Sequence, residues 1–379
     1  MLRLLSDMSP LVNEQQDPRY RYLQIELTSR CNLRCRTCLR AVPDIKLKEQ
    51  DLSAAALRQL QPALRQTASV HLQGWGEAML LQDMVERIRW FKAQDCMVSF
   101  TTNGSLMTKR QAAQLVASGL DSITFSMAGA AAGIQDRLRG QGTHKKLWQS
   151  LHLLHQEKLN QGAANPSLAV SYLLTPETIG ELPNAVKQCR SLGLNLFAGV
   201  HLTHAATGEQ EFMRLYVHSF NNRFKQIIRR AHWQAFLGGM RLQMPPFQPV
   251  LMPVCDKNPL AGCFIASDGS VAPCVFLYPP SADREEQWFT ENGAVSVPGK
   301  CFGSLNENSL DMIWQGSEYR AFRKVFRQRQ QVYDCEMAKV GLDLDAIEKL
   351  ELAQHRIRKV FLSMPVPVCC RGCPKMEGF

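Results

Sequence analysis

Short apolar stretches alternate with longer stretches of helical periodicity through most of the chain. Six stretches rich in apolar or β-branched residues predict strands at 22–27, 69–73, 96–102, 121–127, 167–174 and 194–200. Apolar residues one helical turn apart predict helices at 51–66, 84–94, 108–119, 144–156, 179–193 and 210–236. Such alternation predicts a parallel sheet with right-handed crossovers, and its units are fewer than a closed eight-unit barrel requires. We therefore expect an α/β fold built on a partial (β/α)6 parallel barrel.

A proline-rich stretch interrupts this alternation. PPFQPVLMP at 245–253 predicts a linker, and the residues beyond it are rich in cysteine. We therefore predict an N-terminal extension at 1–20, the barrel at 21–244 and a small cysteine-rich C-terminal domain at 245–379.

Composition and charge narrow the functional classes. The formal net charge of +10 permits a nucleic-acid partner, but Lys and Arg are dispersed, and their densest groups, at 229–232 and 323–329, fit solvated helix faces. A zinc- or iron–sulfur-bearing nucleic-acid-binding protein is therefore kept only as the alternative. No apolar run approaches the roughly 20 residues of a membrane-spanning helix, and the N-terminus lacks the long apolar segment of a signal peptide. The sequence predicts a cytoplasmic protein without a membrane partner.

The thirteen cysteines are odd in number and clustered, which favours metal ligation over disulfides in a reducing compartment. Cys31, Cys35 and Cys38 lie directly after the first predicted strand at C-x3-C-x2-C spacing, in a polar loop rich in arginine. A zinc site would need a fourth ligand nearby, and the following residues LRAVPDIKLKE contain no Cys or His. Three thiolates with one open position suit a [4Fe–4S] cluster in which one iron is free for another ligand.

This cysteine loop resembles that of the radical S-adenosylmethionine (radical SAM) enzymes. The resemblance implies that S-adenosylmethionine chelates the open iron through its amino and carboxylate groups. Reductive cleavage would then give a 5′-deoxyadenosyl radical that abstracts a substrate hydrogen. The resemblance also implies an electron donor such as flavodoxin or ferredoxin.

A second motif extends the resemblance. GWGEA at 74–78 follows the second predicted strand and resembles the GGEP motif of that family. The resemblance implies that Gly74, Gly76 and Glu77 hold the methionine amino group of the cofactor, since a carboxylate suits an ammonium. Ala78 replaces the usual Pro.

Further cofactor contacts are implied at the ends of later elements. TTNG supplies Asn103, SMAGA supplies Ser126, and DRLRG supplies Arg139, whose guanidinium suits the carboxylate of S-adenosylmethionine. Two positions depart from the family: Ala128 stands where Asp is frequent, and Thr37 stands where an aromatic residue is common.

A second group of cysteines follows the linker. FIASDGSVAPC predicts a hairpin with its turn at Asp268–Gly269, which would bring Cys255 and Cys274 close enough to share a cluster. Cys370 and Cys373 form a C-x2-C pair, a common two-ligand clip.

This region resembles the SPASM/twitch domains of radical SAM enzymes in its cysteine spacing and in the segment at 302–323. The resemblance implies an auxiliary [4Fe–4S] cluster held by Cys255, Cys274, Cys370 and Cys373. We expect only one such cluster, because the chain ends six residues beyond Cys373.

Alternatives remain open for this second group. Cys263 or Cys369 could replace one of the four ligands, and a structural zinc could occupy the site instead. Cys96 and Cys189 are predicted to be core residues, whereas Cys301 and Cys335 stay unassigned.

The substrate is the least determined feature. His201 and His204, at the end of the sixth predicted strand, and Tyr278, just beyond Cys274, are candidate catalytic residues, whereas His71 is predicted to be a core residue. The resemblance implies an oxidoreductase or maturase that acts on a peptide, protein, metal-cofactor or small-metabolite substrate. The C-terminal pattern also resembles that of maturases of tungsten-cofactor oxidoreductases.

Overall fold

The computed structural model describes residues 19–42, 48–217, 222–278, 285–290, 293–341 and 345–379. Its strands are β1 (Tyr22–Ile25), β2 (Ser69–Leu72), β3 (Met97–Thr102), β4 (Ser122–Met127), β5 (Ser167–Leu174), β6 (Leu196–His201), β7 (Arg241–Gln243), β8 (Gly262–Ile265), β9 (Ser270–Ala272), β10 (Glu285–Thr290), β11 (Gly293–Pro298) and β12 (Gly303–Ser304). Its α-helices are α1 (Ala54–Leu64), α2 (Met84–Lys92), α3 (Lys109–Val116), α4 (Ala132–Arg139), α5 (Thr143–Asn160), α6 (Leu182–Cys189), α7 (Gly208–Phe212), α8 (Asn222–Leu237), α9 (Leu310–Gln315), α10 (Ser317–Met337) and α11 (Ala346–Ser363).

One sheet organises the molecule. Strands β1 to β7 pair in chain order and every pair is parallel, which confirms the α/β class and all six predicted strands. The sheet also continues on the other side of β1, in the order β12-β9-β8-β1. Strand β8 is parallel to β1, and β9 and β12 follow in antiparallel pairs. Among the described residues, no strand pair joins β7 to β12, so the sheet is open there.

Burial and capping explain the βα units. Every residue of β1 and β2 is buried, as expected for parallel strands covered on both faces. Phe91 on α2, Phe100 on β3 and Phe125 on β4 are fully buried within the main core. Hydroxyl side chains cap several helices: among them, Ser53 accepts from Ala56 N at α1, and Thr108 forms a capping box at α3.

The long helix predicted at 210–236 is wrong. The structure has the short helix α7, which ends at Phe212, then a 3-10 turn at Leu215–Val217, and α8 only from Asn222; residues 218–221 lie outside the description. A tertiary contact explains the break, because the Tyr216 ring stacks on the distant Phe379. Helix α4 was not predicted, since only two of its eight residues, Gln135 and Leu138, are buried.

The C-terminal residues form part of the same sheet. The segment at 245–253 contains no helix or strand, and its role as a linker stays a prediction. The predicted hairpin is present as β8–β9, and Gly269 adopts a φ of +83° at its turn. Because β8 pairs with β1, the cysteine-rich region continues the barrel sheet, and the boundary at 244/245 stays a prediction.

A second hairpin, β10–β11, lies over the cysteine loop. Trp288 on β10 packs with Leu39 and Ala206 in a small apolar cluster, and α7 contacts β10. This hairpin therefore links the C-terminal region to the loop that carries Cys38. None of the described helices is both long and apolar enough to cross a membrane.

Candidate active site

The cysteine loop, residues 29–42, follows β1 and is fixed by hydrogen bonds to α4 and α7. Arg36 N donates to the Leu138 carbonyl at 2.9 Å, and the Cys35 thiol donates to the Arg139 carbonyl at 3.8 Å. On the other side, Gln210 Nε2 donates to the Arg36 carbonyl at 2.8 Å. The loop is therefore held in place at the carboxyl ends of the strands, where active sites of this architecture are built.

Asn103, at the end of β3, positions the same loop. Its Nδ2 donates to Asn32 Oδ1 at 3.0 Å, and Asn32 Nδ2 in turn donates to Ser105 Oγ at 2.8 Å. Its Oδ1 accepts from Ser105 N at 2.9 Å. The side chain predicted to lie near the cofactor thus connects the cysteine loop to the β3 loop.

The three thiols of the loop are partly exposed and close enough to influence one another. Burial raises the pKa of Cys31, and it raises the pKa of Cys38 to about 11; the charges of neighbouring thiols act in the same direction. The positive charge of Arg40 lowers both pKa values. Cysteine binds iron as the thiolate, so burial opposes ligation at Cys31 and Cys38, and the charge of Arg40 favours it.

Glycines allow the GWGEA loop to pack on the cysteine loop. A Cβ at Gly76 would overlap the Thr28 carbonyl oxygen and lie 2.7 Å from the Arg30 carbonyl oxygen. A Cβ at Gly74 would overlap the Glu26 carboxylate. The close approach permits a hydrogen bond of 2.8 Å from Glu77 N to the Arg30 carbonyl. The absence of a side chain at Gly74 and Gly76 is therefore required for the two loops to pack this closely.

Glu77 is buried, with 3% of its surface exposed, and its carboxylate joins the loops after β2 and β3. Oε1 accepts from Met79 N at 3.1 Å and from Thr102 Oγ1 at 2.8 Å, whereas Oε2 accepts from Asn103 N at 2.7 Å. Burial raises the pKa of Glu77, and these hydrogen bonds and the Arg139 charge oppose that shift. Oε2 retains acceptor capacity, so the side chain fits an ammonium group.

Arg139, the last residue of α4, has unused donor capacity. Its charge acts on Glu77, which places the guanidinium near the GWGEA loop. Its Nε is buried and has no hydrogen-bond partner among the residues the structure describes. A buried guanidinium nitrogen without a partner is costly, and a bound carboxylate would satisfy it. Ser126, the remaining predicted cofactor residue, lies near the end of β4 and is partly exposed.

The second group of cysteines meets at the C-terminal side of the molecule. Burial, together with the charge of Cys373, raises the pKa of Cys274 to about 12, and burial raises that of Cys373 to about 11. Burial likewise raises the pKa of Cys255, with smaller contributions from Cys274 and Cys373. The hydrogen bond with Cys369 and burial raise the pKa of Cys370, with smaller contributions from the charges of Cys274 and Cys373. The charges of these four cysteines therefore act on one another, and their assignment as ligands stays a prediction.

The two spare cysteines differ. Cys263 lies on β8 opposite Leu23, is 1% exposed and belongs to the main core, which favours a packing role. The Cys369 thiol is hydrogen-bonded to that of Cys370 and packs at the edge of the core, so it stays a candidate ligand. Cys96 and Cys189 are buried in the core as predicted. Within the described ranges, no three Cys, His, Asp or Glu side chains are close enough to hold one metal ion.

His204 lies beside this second group. Its Nε2 is 3.5 Å from Cys373 Sγ, its Nδ1 is 2.9 Å from Thr203 Oγ1, and its ring stacks on Phe276 at 3.8 Å. Burial lowers the pKa of His204 well below its ordinary value. Both ring nitrogens are thus engaged by the protein.

The other two predicted catalytic residues are also enclosed by protein. His201 Nε2 lies 2.8 Å from the Pro246 carbonyl oxygen, and burial lowers the pKa of this histidine to about 4. Its ring packs edge-on against Tyr216 and Phe379. The Tyr278 hydroxyl donates to Asp268 Oδ2 at 2.5 Å and is buried.

Two residues that the sequence analysis missed connect the two sites. Glu26, at the end of β1, is 1% exposed and accepts from Trp75 N at 2.6 Å and from Ser267 Oγ at 2.8 Å. Trp75 Nε1 donates to the Tyr278 carbonyl at 3.3 Å, and its ring lies edge-on to Phe276, which stacks on His204. A charged residue in the otherwise apolar stretch YLQIEL was the available signal for Glu26.

Comparison with known families identifies two domains. The model of the radical SAM superfamily matches residues 25–189, and the model of the SPASM iron–sulfur cluster-binding domain matches residues 255–337. The radical SAM match contains the cysteine loop and all six predicted cofactor residues. The SPASM match contains Cys255 and Cys274.

Relatives with known roles cover different shares of the chain. The chain is 26% identical over 308 residues to the tungsten-containing aldehyde ferredoxin oxidoreductase cofactor-modifying protein of Pyrococcus furiosus, covering 80% of this chain and 83% of the relative. It is 24% identical to the AdoMet-dependent heme synthase of Oleidesulfovibrio alaskensis, covering 83% and 79%. A match to the mycofactocin maturase MftC of Mycolicibacterium smegmatis, at 28% identity, covers only 41% and 38%.

Solved structures share the fold. Native anSMEcpe with bound AdoMet superposes with a TM-score of 0.58 at 16% identity, covering 91% of this chain and 100% of that chain. Streptococcus suis SuiB bound to S-adenosylmethionine superposes with a TM-score of 0.59 at 14% identity, covering 81% and 68%.

Proposed function

Because this chain belongs to the radical SAM superfamily and carries a C-terminal SPASM iron–sulfur domain, we propose that it is a maturase that modifies a cofactor precursor. A radical SAM enzyme of this type uses S-adenosylmethionine, the [4Fe–4S] cluster that binds it, and an auxiliary cluster. The two relatives that align along most of their length are named for cofactor modification and heme synthesis, and this coverage supports a cofactor precursor as substrate.

The observation that carries the proposal is the convergence of three thiols, a buried carboxylate and an unpartnered guanidinium nitrogen at one end of the sheet, within the described part of the chain. Cys31, Cys35 and Cys38 would hold the cluster and leave one iron open. When bound there and reduced by one electron, S-adenosylmethionine supplies a 5′-deoxyadenosyl radical for hydrogen abstraction. Arg139 Nε would donate to the cofactor carboxylate, and Glu77 Oε2 would accept from its ammonium.

The remaining predicted residues would orient the cofactor or the loop. Asn103 would fix the cysteine loop through Asn32 rather than contact the cofactor directly, since both ends of its amide are already bonded. Gly74 and Gly76 would keep the GWGEA loop close enough for Glu77 to reach the site. The Ser126 hydroxyl, partly exposed near the end of β4, would be available to the ribose or carboxylate.

The auxiliary cluster would be held by Cys255, Cys274, Cys370 and Cys373, with no open iron. His204 is better placed to donate a hydrogen bond to the Cys373 sulfur than to act as a base on substrate, since its nitrogens face Cys373 and Thr203. His201 and Tyr278, both engaged by neighbouring groups, would shape the wall between the two sites.

Anaerobic reconstitution tests the proposed activity directly. The wild-type protein should bind two four-iron clusters per chain and, with dithionite and S-adenosylmethionine, form 5′-deoxyadenosine, whereas Cys35→Ala should form none. Absence of 5′-deoxyadenosine from the fully reconstituted wild type would reject the proposal. Steeply salt-dependent binding to RNA by the same sample would then support the nucleic-acid-binding alternative.

A peptide is the second candidate substrate, because the mycofactocin maturase matches part of the chain and SuiB has been solved with its precursor peptide SuiA. Mass spectrometry before and after turnover would separate the candidates: a changed tetrapyrrole or metal-cofactor precursor supports our proposal, and a changed peptide supports the second. We place the reaction in the cytoplasm, with a flavodoxin or ferredoxin as electron donor, because its thiols and low-potential chemistry need a reducing compartment.

A further inference from the structure

A groove opens beside the auxiliary cysteines. It has a volume of about 970 Å³ and lies between the segment at 249–252, helix α11 and the C-terminal residues 370–377. Cys370 and Cys373 line it, so two of the proposed cluster ligands border this surface directly. We refer to this surface as the C-terminal groove.

The C-terminal groove is basic. Arg358, Lys359 and Arg371 are exposed at its sides, and no carboxylate pairs with any of them in the part of the chain that the structure describes. Arg329 lies buried in the groove wall and donates to backbone carbonyls, among them that of Met364 at 2.7 Å. Among the described residues that line the groove, Glu377 is the one acidic side chain. The surface therefore carries a concentrated positive charge in a protein of net charge +10.

The same surface carries apolar side chains that water solvates poorly. Leu362 on α11 is 84% exposed, and Val250 on the opposite side is 47% exposed. Apolar contacts surrounded by charged residues are typical of interfaces with protein partners. Transient redox complexes use small contact areas of this kind and rely on opposite charge for encounter.

We propose that the C-terminal groove is the docking site for an acidic one-electron redox protein that exchanges an electron with the auxiliary cluster. This inference rests on the proposed function, which places the cluster at Cys370 and Cys373. In the exchange the partner is oxidised by one electron and the cluster is reduced by one electron. No bond forms or breaks, and no proton is transferred.

Charge complementarity selects this occupant over others. An acidic partner would neutralise Arg358 and Lys359, and a basic partner or a second copy of this basic chain would be repelled. Docking here would also bring the partner's redox centre next to the two cysteines, whereas an acidic protein bound elsewhere would gain the same charge pairing without that proximity. A substrate peptide is the competing occupant, and the experiment below separates the two.

The test uses the reconstituted holoenzyme, fully reduced flavodoxin as the acidic probe, and dithionite as a small reductant that needs no docking surface. Freeze-quench EPR would follow reduction of the auxiliary cluster, and 5′-deoxyadenosine would be measured in parallel. In Arg358→Glu/Lys359→Glu, flavodoxin-driven reduction should slow by about tenfold or more at low salt, and its salt dependence should weaken. Reduction by dithionite should be unchanged.

Arg229→Glu/Arg230→Glu is the matched control, because it reverses the same charge at two exposed residues on α8. It should leave flavodoxin-driven reduction close to that of the wild type. Three results would each overturn the inference. Both variants could slow equally, or Arg358→Glu/Lys359→Glu could show no slowing. The third result is that this variant loses peptide binding while flavodoxin still reduces the auxiliary cluster at the wild-type rate. Failure of the proposed function is distinguishable, since the wild type would then form no 5′-deoxyadenosine even with dithionite.

Discussion

The two groups of cysteines are assembled in opposite ways. Cys31, Cys35 and Cys38 lie within eight residues of one another on a single loop, and other loops only fix that loop in place. The second group joins Cys255 and Cys274, on either side of β8–β9, to the distant pair Cys370 and Cys373. Local spacing thus groups the three cysteines that we propose as ligands of the open cluster, whereas the four proposed for the auxiliary cluster come from distant segments of the chain.

The number of protein ligands decides whether a cluster can also bind a cofactor. A cluster with three protein ligands can accept S-adenosylmethionine, and the polar groups near the loop, Glu77 and Arg139, suit its ammonium and carboxylate. A cluster with four protein ligands has no such position. Cys373, one of the four ligands that we propose for such a cluster, lies beside His204 and lines the C-terminal groove.

Removal of one ligand from each group should give the largest contrast. Cys35→Ala should abolish 5′-deoxyadenosine formation completely and remove about one cluster of iron per chain, because two thiols no longer hold the open cluster securely. Iron analysis and product chromatography would measure both effects. Retention of 5′-deoxyadenosine formation would show that the three-thiol loop is not the cofactor site.

Cys274→Ala tests the second group of cysteines in the same way. We expect loss of the auxiliary cluster and of substrate turnover, with 5′-deoxyadenosine still formed from S-adenosylmethionine in the absence of product. The reason is that the loop carrying Cys35 makes its hydrogen bonds with α4, α7 and the β3 loop rather than with Cys274. Loss of both activities together would indicate that the two groups are one structural unit.

A glycine substitution should disturb the first group only. Gly76→Ala places a methyl group against the Thr28 and Arg30 carbonyls and should cost about 2–4 kcal/mol, with preferential loss of the open cluster. Gly133→Ala on α4 is the control, because nothing beyond the neighbouring residues and backbone of its own helix lies within 4 Å of the added Cβ. Urea unfolding and iron analysis should show the control unchanged or slightly more stable. Equal effects at both positions would contradict the packing argument.

Arg139→Ala should weaken S-adenosylmethionine binding by roughly 10- to 100-fold, because a charged hydrogen bond is worth about 1.5–3 kcal/mol. Equilibrium dialysis with the reconstituted protein would measure this dissociation constant. Arg137→Ala on the same helix is the control, since Arg137 forms an exposed ion pair of 2.7 Å with Glu177. The proposed carboxylate contact is rejected if both variants bind the cofactor as the wild type does.

The smallest expected effect concerns the barrel that supports the first group. Burial lowers the pKa of His71 from 6.5 to about 4, and its ring contacts Ser99, Gln73 and Thr101. The unfolded chain therefore binds a proton first as pH falls below 6.5, and stability should fall by about 1–2 kcal/mol between pH 7 and pH 5. Denaturant unfolding of the iron-free protein should show a smaller loss in His71→Asn. An unchanged loss would contradict a buried neutral ring.

Local patterns predicted the frame well. The six strands from β1 to β6 and their parallel order followed from apolar periodicity, and the Asp268–Gly269 turn identified β8–β9. The spacing of Cys31, Cys35 and Cys38 by itself indicated an open cluster. These signals are short in sequence, so neighbouring residues suffice to reveal them.

Contacts between distant residues escaped prediction. Pairing of β8 with β1 joins residues more than 200 positions apart, and no local pattern encodes it. Stacking of Tyr216 on Phe379 interrupts what periodicity alone extends as one helix to 236. The ring contacts of Trp75 with Phe276, and of Phe276 with His204, likewise join distant segments of the chain, so no local pattern predicts them.

The most direct test of the account asks which cluster responds to the cofactor. EPR spectra of the dithionite-reduced, two-cluster protein would be recorded with and without S-adenosylmethionine, and again for Cys35→Ala and Cys274→Ala. The signal missing from Cys35→Ala belongs to the open cluster, and we predict that S-adenosylmethionine shifts it. The signal missing from Cys274→Ala belongs to the auxiliary cluster, and we predict that S-adenosylmethionine leaves it unchanged. A shift of the signal missing from Cys274→Ala, or no shift of either signal, would contradict the assignment of the open iron to the three-cysteine loop.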